Sequence, residues 1–268
     1  MATVAPETSR TALGEVGLEL TERGKGRPIL FLHPGHPAGR VDPNARVLEA
    51  LAEDARVLAP THPGFGNGPA PRHLTTVDDL AYLYLDLMEA LNLRDCAVVG
   101  VSLGGWIAAE MAVKSTERIS HLVLADSVGI KAGDREARDI ADIYAMTDKQ
   151  LAELVYADPA KMTPNTKALP ESELMLMARS REATGRYAWT PYMHNPKLKQ
   201  RLHRIRIPTL VLWGEADRVV TPDYGRAFAA AIPGARFDTI AASGHFPHLE
   251  QPGLFARHVT DFLQETGR

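Results

Sequence analysis

Residues 98–106 read Val-Val-Gly-Val-Ser-Leu-Gly-Gly-Trp, and the interpretation of the whole chain starts from them. An apolar run typical of a β-strand ends at Val101, and a helical pattern begins directly after Ser102. Gly100 and Gly104 stand two positions on either side of the serine, which is the spacing of a nucleophile elbow. In this turn a strand passes so sharply into a helix that neighbouring side chains must be nearly absent. The pattern therefore predicts that Ser102 projects above the sheet edge as a nucleophile.

The composition is that of an ordinary globular protein. Of the 268 residues, 45% are hydrophobic and 24% are charged, and the formal net charge is −3. No basic cluster points to a nucleic-acid partner, and no apolar run is long enough for insertion into a membrane. The single cysteine, Cys96, excludes an internal disulfide, and its place in an apolar run predicts a buried structural thiol. We expect a cytoplasmic protein, monomeric or homodimeric, that acts on a small molecule.

Short apolar runs alternate with helical patterns through most of the chain. After a hairpin at 9–21, strand patterns occur at 29–32, 57–59, 96–101, 119–125, 209–213 and 236–240. The intervening helical patterns lie at 44–55, 75–91, 103–114 and 223–231, and a last one at 249–264. Because alternating strands and helices form parallel sheets with right-handed crossovers, the pattern predicts an α/β domain.

The alternation is interrupted at residues 131–204, which contain no convincing strand pattern. Short helices are predicted there at 134–146, 148–156, 171–183 and 196–204. Five of the eight methionines fall in this part of the chain, together with four tyrosines and a tryptophan. Because such side chains make adaptable apolar walls, we expect 131–204 to form a helical lid. The lid would cover a core domain made of residues 1–130 and 205–268.

A serine hydroxyl needs a base to become nucleophilic, and the base needs an acid that orients it. In a parallel sheet both partners must come from loops at the carboxyl ends of the strands. Asp217 follows the strand pattern that ends at Trp213, and His245 follows the last strand directly. Their order along the chain, with Ser102 first, is the one that accompanies a nucleophile elbow. We therefore predict a triad of Ser102, Asp217 and His245.

Other strand-end residues compete for both roles. The alternative histidines are His33, His36, His62 and His248. Gly244 leaves the ring of His245 accessible, whereas His248 is placed at the start of a helix. Asp126 also ends a strand, where it is either the acid or an acceptor for the N–H groups of nearby loops.

The oxyanion of a tetrahedral intermediate needs two fixed hydrogen-bond donors. One predicted donor is the backbone N–H of Leu103, directly after the nucleophile at the start of the helix. The second comes from the loop after 29–32, where Pro34 has no N–H. That donor is therefore Gly35 or His36, of which Gly35 allows the closest approach of the backbone.

Five motifs together resemble those of the α/β-hydrolase superfamily. They are Leu32-His-Pro-Gly-His-Pro, His62-Pro-Gly-Phe-Gly, Gly100-Val-Ser-Leu-Gly-Gly, Leu212-Trp-Gly-Glu-Ala-Asp-Arg-Val-Val and Ser243-Gly-His-Phe-Pro-His-Leu-Glu-Gln-Pro. The resemblance covers nearly the whole chain. It implies a mostly parallel eight-stranded sheet, a helical lid between strands six and seven, and a Ser102–His245–Asp217 triad.

The resemblance says less about the substrate. The layout is similar to carbon–carbon bond hydrolases of aromatic meta-cleavage pathways, and also to small esterases and lactonases. The elbow serine argues against haloalkane dehalogenases and epoxide hydrolases, which carry aspartate there. The carbon–carbon hydrolases usually have a glycine-rich oxyanion loop and often tryptophan after the catalytic histidine. This chain has His33-Pro-Gly-His and Phe246 instead, and both departures weaken that assignment.

We therefore expect a cofactor-independent serine hydrolase that cleaves a small, largely apolar ester, lactone or thioester through an acyl-enzyme. Trp189 and Phe246 are the candidate substrate-binding residues, and Arg179, Arg181 or Arg186 is a candidate clamp for a substrate carboxylate. The alternatives are carbon–carbon hydrolysis of a vinylogous diketone, cofactor-free lyase or oxygenase chemistry, and a ligand receptor on the same fold. No metal or organic cofactor is predicted, because the sequence has no metal-ligand spacing and no phosphate loop.

Overall fold

The computed structural model describes residues 7–35, 44–134, 136–163 and 165–266. Its strands are β1 (Glu7–Leu13), β2 (Val16–Arg23), β3 (Arg27–Leu32), β4 (Ala55–Pro60), β5 (Cys96–Val101), β6 (Ile119–Ala125), β7 (Thr209–Gly214) and β8 (Arg236–Ile240). They form one sheet in the order β1-β2-β4-β3-β5-β6-β7-β8. The pairs β1–β2 and β2–β4 are antiparallel, and the other five pairs are parallel. The mostly parallel eight-stranded sheet implied by the resemblance is thus confirmed.

The helices cover both faces of this sheet, because every residue of β5 and of β7 is buried. They are α1 (Ala45–Leu51), α2 (Val77–Ala90), α3 (Leu103–Lys114), α4 (Asp148–Val155), α5 (Pro159–Met162), α6 (Glu171–Ala188), α7 (Leu198–Arg201), α8 (Pro222–Ala230), α9 (Pro247–Glu250) and α10 (Pro252–Glu265). α2 packs against α3, and α1 packs against α10. Among the described helices, none is long and apolar enough to cross a membrane. Cys96 is buried in β5, as predicted.

The segment between β6 and β7 contains α4 to α7 and is called the insertion below. The helix predicted at 134–146 is wrong, since the described residues of that segment are turns, bends and irregular chain. The carboxylate of Asp134 accepts the backbone N–H groups of Glu136 and Ala137, and Asp139 accepts two more backbone N–H groups. In a continuous helix the side chain of Asp139 could not reach the N–H groups of Ala132 and Gly133, seven and six residues before it, so these bonds hold the segment in a loop.

The turn after β5 is as sharp as the glycine spacing predicts. Ser102 has φ +52°, a conformation that residues with a side chain rarely adopt. A Cβ on Gly100 would lie 2.3 Å from the carbonyl oxygen of Gly104, and one on Gly104 would lie 2.0 Å from that of Leu32. The N–H of Ser102 donates to the carbonyl of Ala125 at 2.9 Å, which ties the turn to β6. Ser102 therefore stands at the carboxyl edge of the sheet, at the head of α3.

Candidate active site

Hydrogen bonds join the three residues predicted to form a triad. The Oγ of Ser102 lies 2.8 Å from the Nε2 of His245, and the Nδ1 of His245 lies 2.8 Å from the Oδ2 of Asp217. All three side chains are buried. With its proton on Nδ1, His245 donates to Asp217 and accepts from the serine hydroxyl. In this arrangement the imidazole can take the serine proton while Asp217 stabilises the imidazolium that forms.

The loop after β7 holds the carboxylate of Asp217 in place. Its second oxygen, Oδ1, accepts the N–H of Val219 at 2.8 Å and that of Val220 at 3.1 Å. The start of the same loop is held by Asp126, whose Oδ1 accepts the N–H of Gly214 at 2.8 Å. Of its two predicted roles, Asp126 therefore takes that of an acceptor for a loop N–H in this structure.

Asp126 is nevertheless close to the Ser–His–Asp chain. One oxygen of Asp126, one oxygen of Asp217 and one ring nitrogen of His245 all lie within 4.8 Å of one another. Burial raises the pKa of Asp126 well above its ordinary value, and the negative charge of Asp217 raises it further. The spacing of these three groups also suits a metal ion. However, both ring nitrogens of His245 already take part in hydrogen bonds, which leaves no nitrogen lone pair for a metal.

Two stacked histidines fix the loop after β3. The ring centroids of His33 and His62 are 3.7 Å apart. The Nε2 of His33 accepts the backbone N–H of His62 at 2.9 Å, and the Nε2 of His62 donates to the carbonyl of His33 at 2.8 Å. The Nδ1 of His62 accepts from the hydroxyl of Tyr84. Burial lowers the pKa of His33 to about 4 and that of His62 well below its ordinary value, so both rings act as neutral braces.

His248, the main alternative to His245, has no such partners. It is buried against the rings of Phe31, Phe246 and Phe255, and neither of its ring nitrogens has a hydrogen-bond partner among the described residues. Burial lowers its pKa to about 3. A base must reach the proton that it removes, and His248 makes no hydrogen bond to Ser102, so the geometry favours His245.

The predicted oxyanion donors are only partly described. Gly35 and Leu103 both line the pocket beside Ser102, and Leu103 opens α3, where backbone N–H groups have no partner within the helix. Thr184 of α6 crowds Gly35, because a Cβ on this glycine would meet the Oγ1 of Thr184 at 2.8 Å. His36, the alternative donor, lies outside the described residues. The oxyanion function of these residues stays a prediction.

The pocket around Ser102, called the serine pocket below, is small and largely apolar. Its volume is about 20 Å³, which is room for about one water molecule. More than half of its lining comes from the insertion, including Ile143, Leu151, Tyr192 and Met193. None of the described residues that line it is a lysine or an arginine. A substrate larger than water therefore does not fit unless some of the lining residues move.

The two candidate substrate-binding residues lie elsewhere. Trp189 is 56% exposed and packs edge-to-face against Tyr144 and Tyr192 on the insertion. Phe246 is buried beside the ring of His245, with 5.0 Å between the ring centroids. Neither is among the residues that line the serine pocket. Their placement gives no support to a role in substrate binding, which stays a prediction.

The three arginines considered as carboxylate clamps, Arg179, Arg181 and Arg186, are also absent from the pocket lining. Arg179 donates to the carbonyl of Gly66. The guanidinium of Arg181 lies 4.7 Å from the ring centroid of Tyr144. A carboxylate clamp at the serine pocket would therefore need these side chains to move.

A tie between the insertion and the loop of His245 escaped the sequence analysis. The backbone N–H of His245 donates to the carbonyl of Val155, at the end of α4, at 2.7 Å. Glu250 accepts the N–H of Gly244 at 2.7 Å with one oxygen and that of Ala157 at 2.8 Å with the other. The only sign of this tie in the sequence is an acidic residue shortly after His245. The end of α4 and the loop of His245 are therefore fixed to each other.

Comparison with known proteins places the chain in a family. It matches the α/β hydrolase family over residues 29–258. It is 27% identical to the 2-hydroxymuconate semialdehyde hydrolase of Pseudomonas sp. strain CF600, over 97% of this chain and 95% of that protein. It is also 27% identical to the 2-hydroxy-6-oxo-2,4-heptadienoate hydrolase of Pseudomonas putida, over 98% and 99%.

Among solved structures, a thermophilic esterase from Thermogutta terrifontis is similar, with a TM-score of 0.77 at 23% identity, over 99% of this chain and all of that one. This likeness extends the agreement in fold to the whole chain. Because the family match spans most of the sequence and the eight-stranded sheet agrees with it, the protein belongs to the α/β hydrolase family.

Proposed function

We propose that this protein is a cofactor-independent serine hydrolase whose catalytic triad is Ser102, His245 and Asp217. One observation carries the proposal: an unbroken chain of hydrogen bonds leads from Asp217 through His245 to a serine held at a positive φ. A serine in a purely structural turn needs neither a buried histidine nor a buried carboxylate behind it. Strain of this kind concentrates at functional sites, where the surrounding structure enforces it.

The reaction follows from this geometry. The Oγ of Ser102 attacks a carbonyl carbon while the Nε2 of His245 takes the serine proton. The N–H groups of Leu103 and Gly35 hold the oxyanion that forms. His245 then gives its proton to the leaving group, and an acyl-enzyme remains on Ser102. A water molecule, deprotonated by His245, attacks the acyl carbon and releases the acid.

The relatives favour carbon–carbon hydrolysis as the substrate class to test first. Two of them are hydrolases named for 2-hydroxymuconate semialdehyde and for a 2-hydroxy-6-oxo dienoate. On such a vinylogous diketone, His245 and the oxyanion donors would first promote ketonisation. The Oγ of Ser102 then attacks the distal ketone. When the tetrahedral intermediate collapses, the carbon–carbon bond breaks, and its electron pair is delocalised into the conjugated carbonyl. The resulting enolate takes its proton from His245.

A second substrate class is favoured by the lining of the serine pocket. A dienoate carries a carboxylate, and no lysine or arginine stands among the described residues around Ser102. An uncharged apolar ester, lactone or thioester needs no such partner, because apolar walls alone bind it. The insertion would act as the lid for either class, since it supplies most of the pocket wall and must open to admit a substrate.

A fluorophosphonate probe tests the mechanism without knowledge of the substrate. We expect a covalent adduct on Ser102, located by peptide mass spectrometry, and none in Ser102→Ala. On a true substrate Ser102→Ala should lower kcat by about 10⁶-fold, as for other serine triads, because the nucleophile is lost. Ser9→Ala, on the exposed edge of β1, is the matched control and should keep full activity. An unlabelled wild-type protein would contradict the proposal.

The substrate classes are separated by a parallel assay. Disappearance of a yellow dienolate on addition of the protein would assign carbon–carbon hydrolysis. Release of p-nitrophenol or thiol from simple esters and thioesters, with dienoates left intact, would assign the second class.

A further inference from the structure

Asp126 is a buried carboxyl group for which the proposed mechanism has no task. It ends β6 next to the loop of Asp217, and it has φ +43°, a strained conformation for a residue with a side chain. Its Oδ1 accepts the N–H of Gly214, whereas its Oδ2 is buried without a hydrogen-bond partner in the described chain. A buried acceptor left unused is costly, so this oxygen calls for an explanation.

Two carboxyl groups whose oxygens lie within 4.8 Å in a buried site disfavour the ionisation of both, because the two negative charges repel each other. The hydrogen bonds indicate which one keeps its charge. Asp217 accepts three N–H groups, from Val219, Val220 and His245, and all three stabilise the carboxylate. Asp126 accepts a single N–H group, from Gly214. The proton therefore belongs to Asp126, where it gives the unused Oδ2 a donor function towards Asp217.

We propose that Asp126 is a positioning residue that keeps its proton, donates it in a hydrogen bond to Asp217, and serves as a reserve acid for His245 when Asp217 is neutralised. The inference rests on the proposed function, because it assigns Asp126 a role in the same triad. The proton bridge would hold the Asp217 carboxylate in the orientation that His245 requires.

The reserve role follows from the neighbouring strands. β6 and β7 are adjacent and parallel, so Asp126 and Asp217 arise from the same edge of the sheet. An oxygen of Asp126 and a ring nitrogen of His245 lie within 4.8 Å, which side-chain rotation can shorten to a hydrogen bond. In Asp217→Asn the neighbouring negative charge is gone, and Asp126 is then free to ionise and orient His245.

The test compares Asp217→Asn with the double variant Asp126→Asn/Asp217→Asn. The readout is the rate at which a fluorophosphonate labels Ser102, which needs an oriented His245 but no natural substrate. A serine triad whose acid has no substitute loses about 10⁴-fold on this change, because the histidine takes the wrong tautomer. We expect the double variant to show this full loss. We expect Asp217→Asn alone to be at least about ten-fold faster than the double variant, and this coupling measures the reserve acid.

The pH dependence separates a reserve acid from a merely structural contact. The titratable groups that face Asp126 are Asp217 after β7, His245 after β8 and Glu250 in α9. Only ionised Asp126 can orient His245. The labelling rate of Asp217→Asn relative to the double variant should therefore rise with pH.

A second measurement needs no variant to be active. Carbon-13 NMR of wild-type protein labelled at its aspartate carboxyl carbons should show one protonated carboxyl at pH 7. That signal should be missing from Asp126→Asn, whose fold is checked by its thermal unfolding.

Three outcomes are decisive. Equal labelling rates for the single and double variants, with wild type labelled normally, would overturn the reserve role alone. Fully ionised aspartates at pH 7 would overturn the proton bridge. If the wild type itself is not labelled at Ser102, the proposed function fails, and the inference fails with it.

Discussion

The loops at the strand ends and the helical insertion meet around Ser102, but they contribute different groups to the pocket. Directional hydrogen bonds to buried polar groups fix the loops, as in the stacked pair His33 and His62. The insertion presents mainly apolar side chains to the serine pocket, such as Leu151 and Met193, and hydrogen bonds join it to the loops at separate points, as from His245 to Val155. Hydrogen bonds fix angles, whereas apolar contact is non-directional. The reacting groups therefore sit on the hydrogen-bonded loops, the rigid side of the pocket, whereas the insertion supplies most of its wall, the adaptable side.

The strongest way to break the rigid side is Gly104→Ala. The added Cβ would lie 2.0 Å from the carbonyl oxygen of Leu32 and 2.7 Å from that of His33. Neither backbone can retreat without moving β3 away from α3. We expect the free energy of unfolding in urea to fall by about 3 kcal/mol, at the upper end for overpacking, together with loss of Ser102 labelling.

Gly253→Ala is the matched control for this substitution. Gly253 lies in α10, and a Cβ there would meet no atom within 4 Å. Alanine favours a helix over glycine by up to about 1 kcal/mol, so this variant should be as stable as wild type or more so. Equal destabilisation by the two variants would remove the steric explanation of the elbow.

Glu250 joins the two regions, and substituting it tests whether they must be joined. Its carboxylate accepts N–H groups from Gly244 and from Ala157, and the side-chain amide of Glu250→Gln can accept only one of them. A misplacement of a catalytic group by about 1 Å costs about 10²-fold in rate. We therefore expect kcat to fall by up to about 10²-fold in this variant, with little change in KM.

The control for Glu250 is Glu265→Gln, which removes a charge from an exposed carboxylate paired with Arg236. It should leave kcat unchanged. A rise in KM without a fall in kcat for Glu250→Gln would show that this side chain serves the insertion and not the position of His245.

The sequence indicates the role of Gly104 but not that of Glu250. The elbow was predictable because its cause is local: glycines around Ser102 are demanded by a turn a few residues long. That Ser102, Asp217 and His245 lie close together was predictable, because the strand ends that carry them share one edge of the parallel sheet. The role of Glu250 was not predictable, because its partner Ala157 lies 93 residues away in sequence.

The insertion escaped prediction for a different reason. Its helical pattern at 134–146 fails because Asp139 turns back to bind the backbone N–H groups of Ala132 and Gly133, which holds the segment in a loop. Trp189 has the composition of a pocket wall but packs behind Tyr192, which does line the serine pocket, and against Tyr144. Periodicity predicts which face of an element is apolar. Only the packing in the folded protein decides which apolar side chain reaches the serine pocket.

His248 offers a smaller test of the rigid side. Its pKa is about 3 in the folded protein and about 6.5 when exposed, so the unfolded chain binds the extra proton between these values. The free energy of unfolding should therefore fall as the pH drops below about 6.5, by about 1.4 kcal/mol per pH unit for this one group. His33 and His62 contribute in the same direction, because their pKa values are also lowered.

We expect His248→Leu to reduce the slope of the unfolding free energy against pH by this single contribution, measured in urea between pH 7 and pH 5. The exposed His203 provides the control, and His203→Leu should leave the slope unchanged. An unchanged slope in His248→Leu would mean that His248 is protonated as easily in the folded protein as in the unfolded chain.

The smallest effect expected is that of Trp189→Ala on substrate selectivity. Leu151 lines the serine pocket, whereas Trp189 is exposed on the outer side of the insertion. We measure the rates at which long and short alkyl fluorophosphonates label Ser102. Leu151→Ala should raise the ratio of long to short by about ten-fold, since room for one or two methylenes is worth 1–3 kcal/mol. Trp189→Ala should leave that ratio unchanged. If Trp189→Ala shifts the ratio as much as Leu151→Ala does, the tryptophan turns into the pocket when the insertion opens, and the adaptable wall extends beyond Tyr192 to Trp189.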